Sequence, residues 1–310
     1  MKNVFGTIFL FTILVLICQA ANQAQAAYGI GPPPRPGAER YSRILSDIAQ
    51  SGPDLTHWQA QRAILAGMLL SAEGDSTSFR FSPDSFEFNA ALYRRNQFQH
   101  CTVNLKTLPR VVARRGFGGV WRLKDEAGKD LPEPLDKLAW YADQQTVELV
   151  ASALNHLRET AAAQDEAQRD FPQQAATWRA LPTKPPVPEA VRGQRLLAET
   201  ALNDKKAAQA LYHYERGVEL DPVWSEGRFN AALVAAELEF YDEAVEQMRA
   251  YVALAPDAND AQEARDHIVI WQDKATQKPA ESSEEQPQAQ PQRRGNLGGF
   301  GRLGGATGTR

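Results

Sequence analysis

Two serines and a histidine in the N-terminal third are the nearest approach to a nucleophile and its base. Ser42 and Ser46 precede His57, and a serine hydroxyl activated by histidine is the usual nucleophile of acyl-transfer enzymes. No pattern assigns the acid that would orient the histidine. The sequence also has no Gly-x-Ser-x-Gly turn, phosphate-binding loop or dinucleotide fingerprint. The residue types therefore predict that the chain is not an enzyme and needs no cofactor.

Metal-ligating side chains are scattered along the chain. Zinc needs three or four converging ligands, and neither HExxH nor CxxC spacing occurs. Cys101 follows His100 in a stretch of alternating polar and apolar residues, where a partly buried cysteine acts as a small hydrophobe. We therefore predict no metal site. The five histidines are His57, His100, His156, His213 and His267.

The N-terminus has the layout of a secretory signal peptide. Lys2 precedes the uncharged residues 4–18, and Ala24, Gln25 and Ala26 offer a cleavage site that would assign residues 1–26 to the signal. The alternative is an uncleaved anchor. We expect an exported protein of the periplasm or cell surface, with no membrane span after cleavage.

Composition limits the classes of partner. The formal net charge is −4 over 310 residues, too little to steer the chain toward nucleic acid or an anionic membrane. Residues 277–310 are first rich in acids, Gln and Pro and then in Arg and Gly, with few apolar side chains, which predicts a disordered tail. We expect protein partners and no nucleic acid.

The segment 27–75 reads as a linker with a helical lead. Residues 28–37 (YGIGPPPRPG) are rich in proline and glycine. Helical patterns follow at 40–50 and 55–71, and in the second of these Trp58, Arg62, Leu65 and Leu69 recur every three or four residues. Both are expected to be amphipathic helices.

Alternating polarity predicts a sheet in the segment 76–163. Phe86 and Phe88 alternate with polar residues, as do Cys101 and Val103, which is typical of half-buried strands. Further strands are predicted at 79–81, 108–114, 119–124 and 138–142. Asp143 is a plausible N-cap for a helix from about residue 144 that covers one antiparallel sheet.

That order of strands and one closing helix resembles a small pleckstrin-homology-like (PH-like) domain. The resemblance implies an alternative function, a lipid or small-ligand binding module within residues 76–163. Phosphoinositide binding would need clustered basic residues, and the solvated face of a strand explains the available ones more simply. Those residues are Arg94, Arg95, Arg110, Arg114 and Arg115.

A proline-rich boundary separates this region from a repeat. Residues 164–188 read as a helical and proline-rich linker, with a helix break expected at Phe171 and Pro172 and a stiff end at 182–188 (PTKPPVP). The segment 189–276 then matches itself at an offset of 34 residues, the period of tetratricopeptide repeats (TPRs). We call this spacing the repeat offset. It aligns Ala210 with Ala244 and Pro222 with Pro256.

This region resembles bacterial TPR proteins of the cell envelope, which implies two helical hairpins, at 191–224 and 225–258, and a capping helix at 259–276. Small residues at Ala198, Ala210, Ala232 and Ala244 would let the two helices of each hairpin approach closely. Leu197, Leu211, Tyr214 and Leu220 would fill the groove between them. The fold class predicted for the whole chain is thus α+β, a PH-like sheet and helix followed by an all-α solenoid.

The resemblance also implies a docking surface and a role as a non-enzymatic interaction scaffold. TPR arrays bind partner peptides along the concave face formed by the first helix of each repeat. We expect Arg195, Phe229 and Asn230 to matter most, although Phe229 could instead pack between helices as part of an ordinary mixed surface. The full predicted set is Arg192, Arg195, Glu199, Asn203, Phe229, Asn230, Leu233 and Glu237.

Overall fold

Helices make up most of the chain in its computed structural model. The structure describes residues 38–276 except 52–53, 72–78, 91–98, 117–119, 139 and 141. The signal-peptide, tail, Arg94 and Arg95 predictions lie outside these residues. Within them the architecture is α+β, with eight α-helices and two small antiparallel sheets. The helices are α1 Ala38–Ser51, α2 His57–Ser71, α3 Gln144–Ala180, α4 Glu189–Asn203, α5 Ala207–Leu220, α6 Ser225–Glu237, α7 Tyr241–Leu254 and α8 Ala261–Thr276.

Five short strands form the two sheets, where the sequence predicted one. β1, β2 and β3 pair in that order, and β4 pairs only with β5 among the described residues. Of the strand expected at 138–142, the described residues show an isolated bridge between Trp140 and Trp121. The prediction of a single sheet was therefore wrong. The strands are β1 Arg80–Ser82, β2 Ser85–Ala90, β3 Gln99–Asn104, β4 Val111–Arg115 and β5 Trp121–Asp125.

The alternating residues of the strands meet α3 in a shared core. Phe86 and Phe88 are fully buried, and Cys101 lies in the same core. Asp143 caps α3 as predicted, with its carboxylate accepting from the backbone N–H of Thr146 at 2.9 Å. Asn155 of α3 bonds both backbone groups of Val111 at the start of β4. The predicted covering helix is confirmed.

Helix α3 runs without a break through Pro172, contrary to the prediction. A proline inside a helix removes one backbone hydrogen bond, but Pro172 is exposed, so water can bond the carbonyl that loses its partner. Packing holds the helix on both sides of the proline, since Ala161 and Ala175 are buried. Phe171 also lies under the guanidinium of Arg228, 4.7 Å from ring centroid to Cζ.

Helices α4 to α7 repeat one structural unit at the repeat offset. α5 and α7 begin at Ala207 and Tyr241 and end at Leu220 and Leu254, so both ends are displaced by that offset. The turn before each of them contains a non-glycine residue with positive φ at equivalent positions, Lys205 at 60° and Glu239 at 63°. The period found in the sequence is therefore also a period of the backbone.

Small residues at the helix contacts are buried as predicted. Ala198, Ala210, Ala232 and Ala244 all have no exposed surface. Leu211 and Tyr214 are also buried.

Two of the leucines expected between the helices are exposed instead. Leu197 is 48% exposed and Leu220 is 51% exposed. Leu197 lies on α4, the first helix of the array, whose main neighbour is α5, so no earlier hairpin covers it. Leu220 is the last residue of α5.

Where the N-terminal helices meet the array, they contact chiefly α5 and α7, the second helix of each hairpin. α1 contacts α5, and α3 contacts α7. The backbone N–H of His57 donates to Glu219 of α5 at 2.8 Å, and the Trp58 indole N–H donates to Glu246 of α7 at 3.4 Å. Near the end of α3, Arg179 donates to the carbonyl of Ala253 in α7.

A buried ion cluster joins α2 to both second helices. The Nη1 of Arg62 lies 2.7 Å from Glu215 Oε1 of α5 and also pairs with Glu243 of α7. The hydroxyl of Thr56 donates to the other oxygen of Glu215. Burial and the neighbouring Glu215 hold the pKa of Glu243 well above its usual value, although Arg62 lowers it. A proton on Glu243 would leave one cation facing one anion, which avoids an uncompensated buried charge.

Candidate protein-binding surface

The repeat offset places equivalent side chains on the same side of α4, α6 and α8. Arg195 corresponds to Phe229 and Glu263, Glu199 corresponds to Leu233 and His267, and Leu202 corresponds to Ala236 and Ile270. Equivalent positions on equivalent helices point the same way because all the helices share one rotation per residue. We call these nine residues the first-helix face.

Apolar side chains on the first-helix face are open to solvent. Leu202 is 38% exposed, Leu233 36% and Ile270 50%. Each comes from a different helix of the array, Leu202 from α4, Leu233 from α6 and Ile270 from α8. Exposed apolar groups that continue from one element to the next often mark interaction sites.

Arg195, one of the residues expected to matter most, is already held by two acids. Its guanidinium lies 3.7 Å from Glu199 one turn along α4 and 3.4 Å from Glu226 on α6. Arg192 pairs likewise with Glu189 at 2.8 Å. These ion pairs therefore lie within α4 or join α4 to α6. A partner that binds either arginine would have to compete with the glutamates that already pair with it.

Phe229 is half-buried and packs against Tyr251 of α7. The two ring centroids are 4.9 Å apart, with the rings edge to face. Phe229 thus serves partly as packing between the helices of one hairpin, the alternative considered from the sequence. Asn230 beside it is also half-buried, whereas Asn203 is exposed at the end of α4.

Glu237 lies at a different place from the other predicted residues. It lines a cavity of about 380 Å³ between α1 and the array. Ile44 and Ile48 of α1, Leu211 of α5 and Phe240 provide apolar walls. All residues that line this cavity fall within 40–62 and 208–240, outside the segment 76–163 that the small-ligand alternative would use.

The charged side chains around the first-helix face are mostly acidic. Three exposed acids, Glu199, Glu226 and Glu263, lie on or beside this face with two bases, Arg192 and Arg195. A partner segment that carries lysine or arginine would therefore meet a complementary surface.

Other sequence candidates are placed apart or paired locally. A ring nitrogen of His57 lies 2.8 Å from Gln61 Nε2, and Ser46 accepts a hydrogen bond from Gln50, so neither bond joins serine to histidine. Arg110 pairs with Glu126 at 3.3 Å. Within the described residues no three metal-ligating side chains cluster, and no described helix has the length and apolarity to cross a bilayer.

Sequence reasoning missed several members of this surface. The members that were not among the predicted residues are Leu202, Ala236, Glu263, His267 and Ile270. The signal was available, because extending the repeat offset into α8 reaches Glu263, His267 and Ile270. The resemblance to TPR proteins predicts this helix only as a cap.

Comparison with protein-family models, with curated proteins and with solved structures finds no match to this chain.

Proposed function

We propose that the protein is a non-enzymatic interaction scaffold of the bacterial envelope. In this proposal α4 to α8 form a short TPR array, and the first-helix face binds a segment of a partner protein. The observation that carries the proposal is the exposure of Leu202, Leu233 and Ile270, while the array helices that the N-terminal helices chiefly contact are α5 and α7. The covering helices thus leave the first-helix face open.

The backbone supports the TPR assignment more directly than the side-chain signature does. α5 and α7 recur at the repeat offset, with an equivalent left-handed residue in the turn before each of them. Stacked hairpins of that family require such a recurrence. Ala198 and Ala232 have no exposed surface, so neighbouring helices approach closely there.

The chemistry of the surface specifies its partner. An apolar stripe bordered by glutamates fits a peptide whose leucine-like side chains are flanked by lysine or arginine. Apolar contact would supply most of the affinity, and charge would set the register and accelerate association. Association should therefore slow as salt is added, because exposed charges are screened over about 10 Å at 0.1 M ionic strength.

A direct test uses the chain without residues 1–26 and a fluorescent amphipathic peptide of leucine and lysine. The matched probe carries glutamate in place of every lysine. We expect fluorescence anisotropy to show saturable binding of the lysine peptide and little binding of the glutamate peptide. Leu233→Asn should weaken binding roughly tenfold, since burial of one leucine contributes about 1.5 to 3 kcal/mol.

The control for that variant is Leu220→Asn. Leu220 is 51% exposed on α5, so it tests whether any exposed leucine would serve. Equal losses for both variants, or equal binding of both peptides, would remove the first-helix face as the docking surface.

A further inference from the structure

The short segment between α3 and α4 is extended and exposed. Residues 184–188 (Lys-Pro-Pro-Val-Pro) contain no turn or bend, and only Val187 among them is half-buried. At its end Pro188 has φ −54° and ψ 146°, close to the backbone angles of a polyproline II helix.

Covalent structure restricts every residue of this segment. The rings of Pro185, Pro186 and Pro188 fix φ at about −65°. Lys184, Pro185 and Val187 each precede a proline, which disfavours the helical region for them. The extended form is therefore already present before any partner arrives, and binding would order little additional chain.

One edge of the segment is held against the protein. A polyproline II helix repeats its edges every third residue, so Lys184 and Val187 share an edge. Val187 packs against the core of the helical array. The ammonium of Lys184 donates to the carbonyls of Arg179 and Leu181 at 3.3 and 3.2 Å. It also lies 5.4 Å from the ring centroid of Trp178.

The other two edges therefore face solvent. Pro185 and Pro188 share one of them, and Pro186 lies on the third. All three prolines are exposed. This is the P-x-x-P arrangement that grooves lined by aromatic side chains bind, with proline rings seated between the aromatic rings.

We propose that Pro185, Pro186 and Pro188 form a second docking site, which binds a partner domain through an aromatic-lined polyproline groove. This site differs from the first-helix face in location and in chemistry. It presents rigid proline rings, whereas the first-helix face presents leucines and glutamates. A mere spacer would need stiffness but not the outward orientation of the prolines.

The test titrates the chain without residues 1–26 into three purified probes, an SH3 domain, a WW domain and profilin, and follows each labelled probe by NMR. We expect at least one probe to show shifts confined to its aromatic groove at millimolar chain. Pro185→Ala should weaken that binding roughly tenfold. Pro182→Ala is the matched control, because Pro182 lies in a bend outside residues 184–188, and it should change affinity less than about twofold.

Two results would overturn the proposal. One is the absence of groove shifts with every probe, and the other is an equal loss of affinity for Pro185→Ala and Pro182→Ala. Unchanged thermal unfolding of both variants shows that any loss comes from the contact. Leu233→Asn should leave the binding of these probes intact, so failure of one docking site is distinguishable from failure of the other.

Discussion

Removing the cation of the buried cluster should destabilise the protein far more than removing one of its acids. In Arg62→Ala, Glu215 and Glu243 remain buried without their partner, and breaking a buried ion pair from one side costs about 3 to 5 kcal/mol. The variant also loses the stacking of the guanidinium on Phe240, 4.9 Å from Cζ to the ring centroid. In Glu243→Gln the change should stay below about 1 kcal/mol, because burial and Glu215 raise the pKa of Glu243 and so favour its neutral form, and glutamine is neutral as well.

Urea denaturation, followed by tryptophan fluorescence and by circular dichroism, measures the free energy of unfolding of both variants. For a chain of this size, about 3 to 5 kcal/mol corresponds to a fall in the thermal midpoint of roughly 6 to 20 °C. Arg40→Ala is the matched control, since Arg40 pairs with Glu239 at 2.8 Å while both side chains are exposed, and such pairs contribute about 0 to 1 kcal/mol.

The ranking of the three variants is the critical result. If Glu243→Gln costs as much as Arg62→Ala, then Glu243 is ionised in the folded protein and the account of a neutral cluster is wrong. If Arg62→Ala costs no more than Arg40→Ala, α2 is not held to the array by this cluster.

Two further perturbations test the packing and the pH response. Burial and the neighbouring His156 lower the pKa of His57 to about 4. As pH falls below about 6.5, the unfolded chain therefore binds a proton at His57 before the folded chain does. The free energy of unfolding should drop by about 2 kcal/mol between about pH 7 and 4.5. His57→Gln should remove this part of the pH dependence, and parallel urea midpoints of the variant and the wild type across that range would contradict it. Gly217→Ala places a methyl group 2.4 Å from the ring of Trp224 and should lower the thermal midpoint. The methyl group of Gly193→Ala meets no atom within 4 Å, so this change should raise stability by about 0.5 to 1 kcal/mol. Differential scanning calorimetry of the two variants would refute this reasoning if both midpoints moved in the same direction.

Features encoded by neighbouring residues were predictable from the sequence. The alternation of Phe86 and Phe88, and of Cys101 and Val103, fixes which side of each strand is buried, and the structure buries all four. The N-cap Asp143 was predictable for the same reason, because its bond to Thr146 joins residues within one helical turn. The repeat offset was predictable as well, because it is found by comparing the sequence with itself.

Contacts between distant segments were not predictable. Glu215 and Glu243 are far from Arg62 in sequence, Glu243 by 181 residues, and no period or motif connects the three residues. The helical spacing predicted only that Arg62 and Trp58 share one face of an amphipathic helix. The structure buries both residues. The pairing of Arg195 was hidden for a similar reason, since Glu226 comes from the next hairpin.

Helix α2 explains how so short an array can be stable. Two hairpins and one extra helix are fewer than the three repeats that solenoids usually need. Ile64 and Met68 of α2 enter the core of the sheets, while Trp58 enters the core of the array, so one helix belongs to both cores. Because the described ion pairs of Arg62 on the same helix join it to the second helices α5 and α7, this support adds stability without occupying the first-helix face. Arg62→Ala should therefore lower the folded fraction but leave the peptide affinity of each folded molecule unchanged, and a loss of affinity at full folding would show that the two sides of the array are coupled.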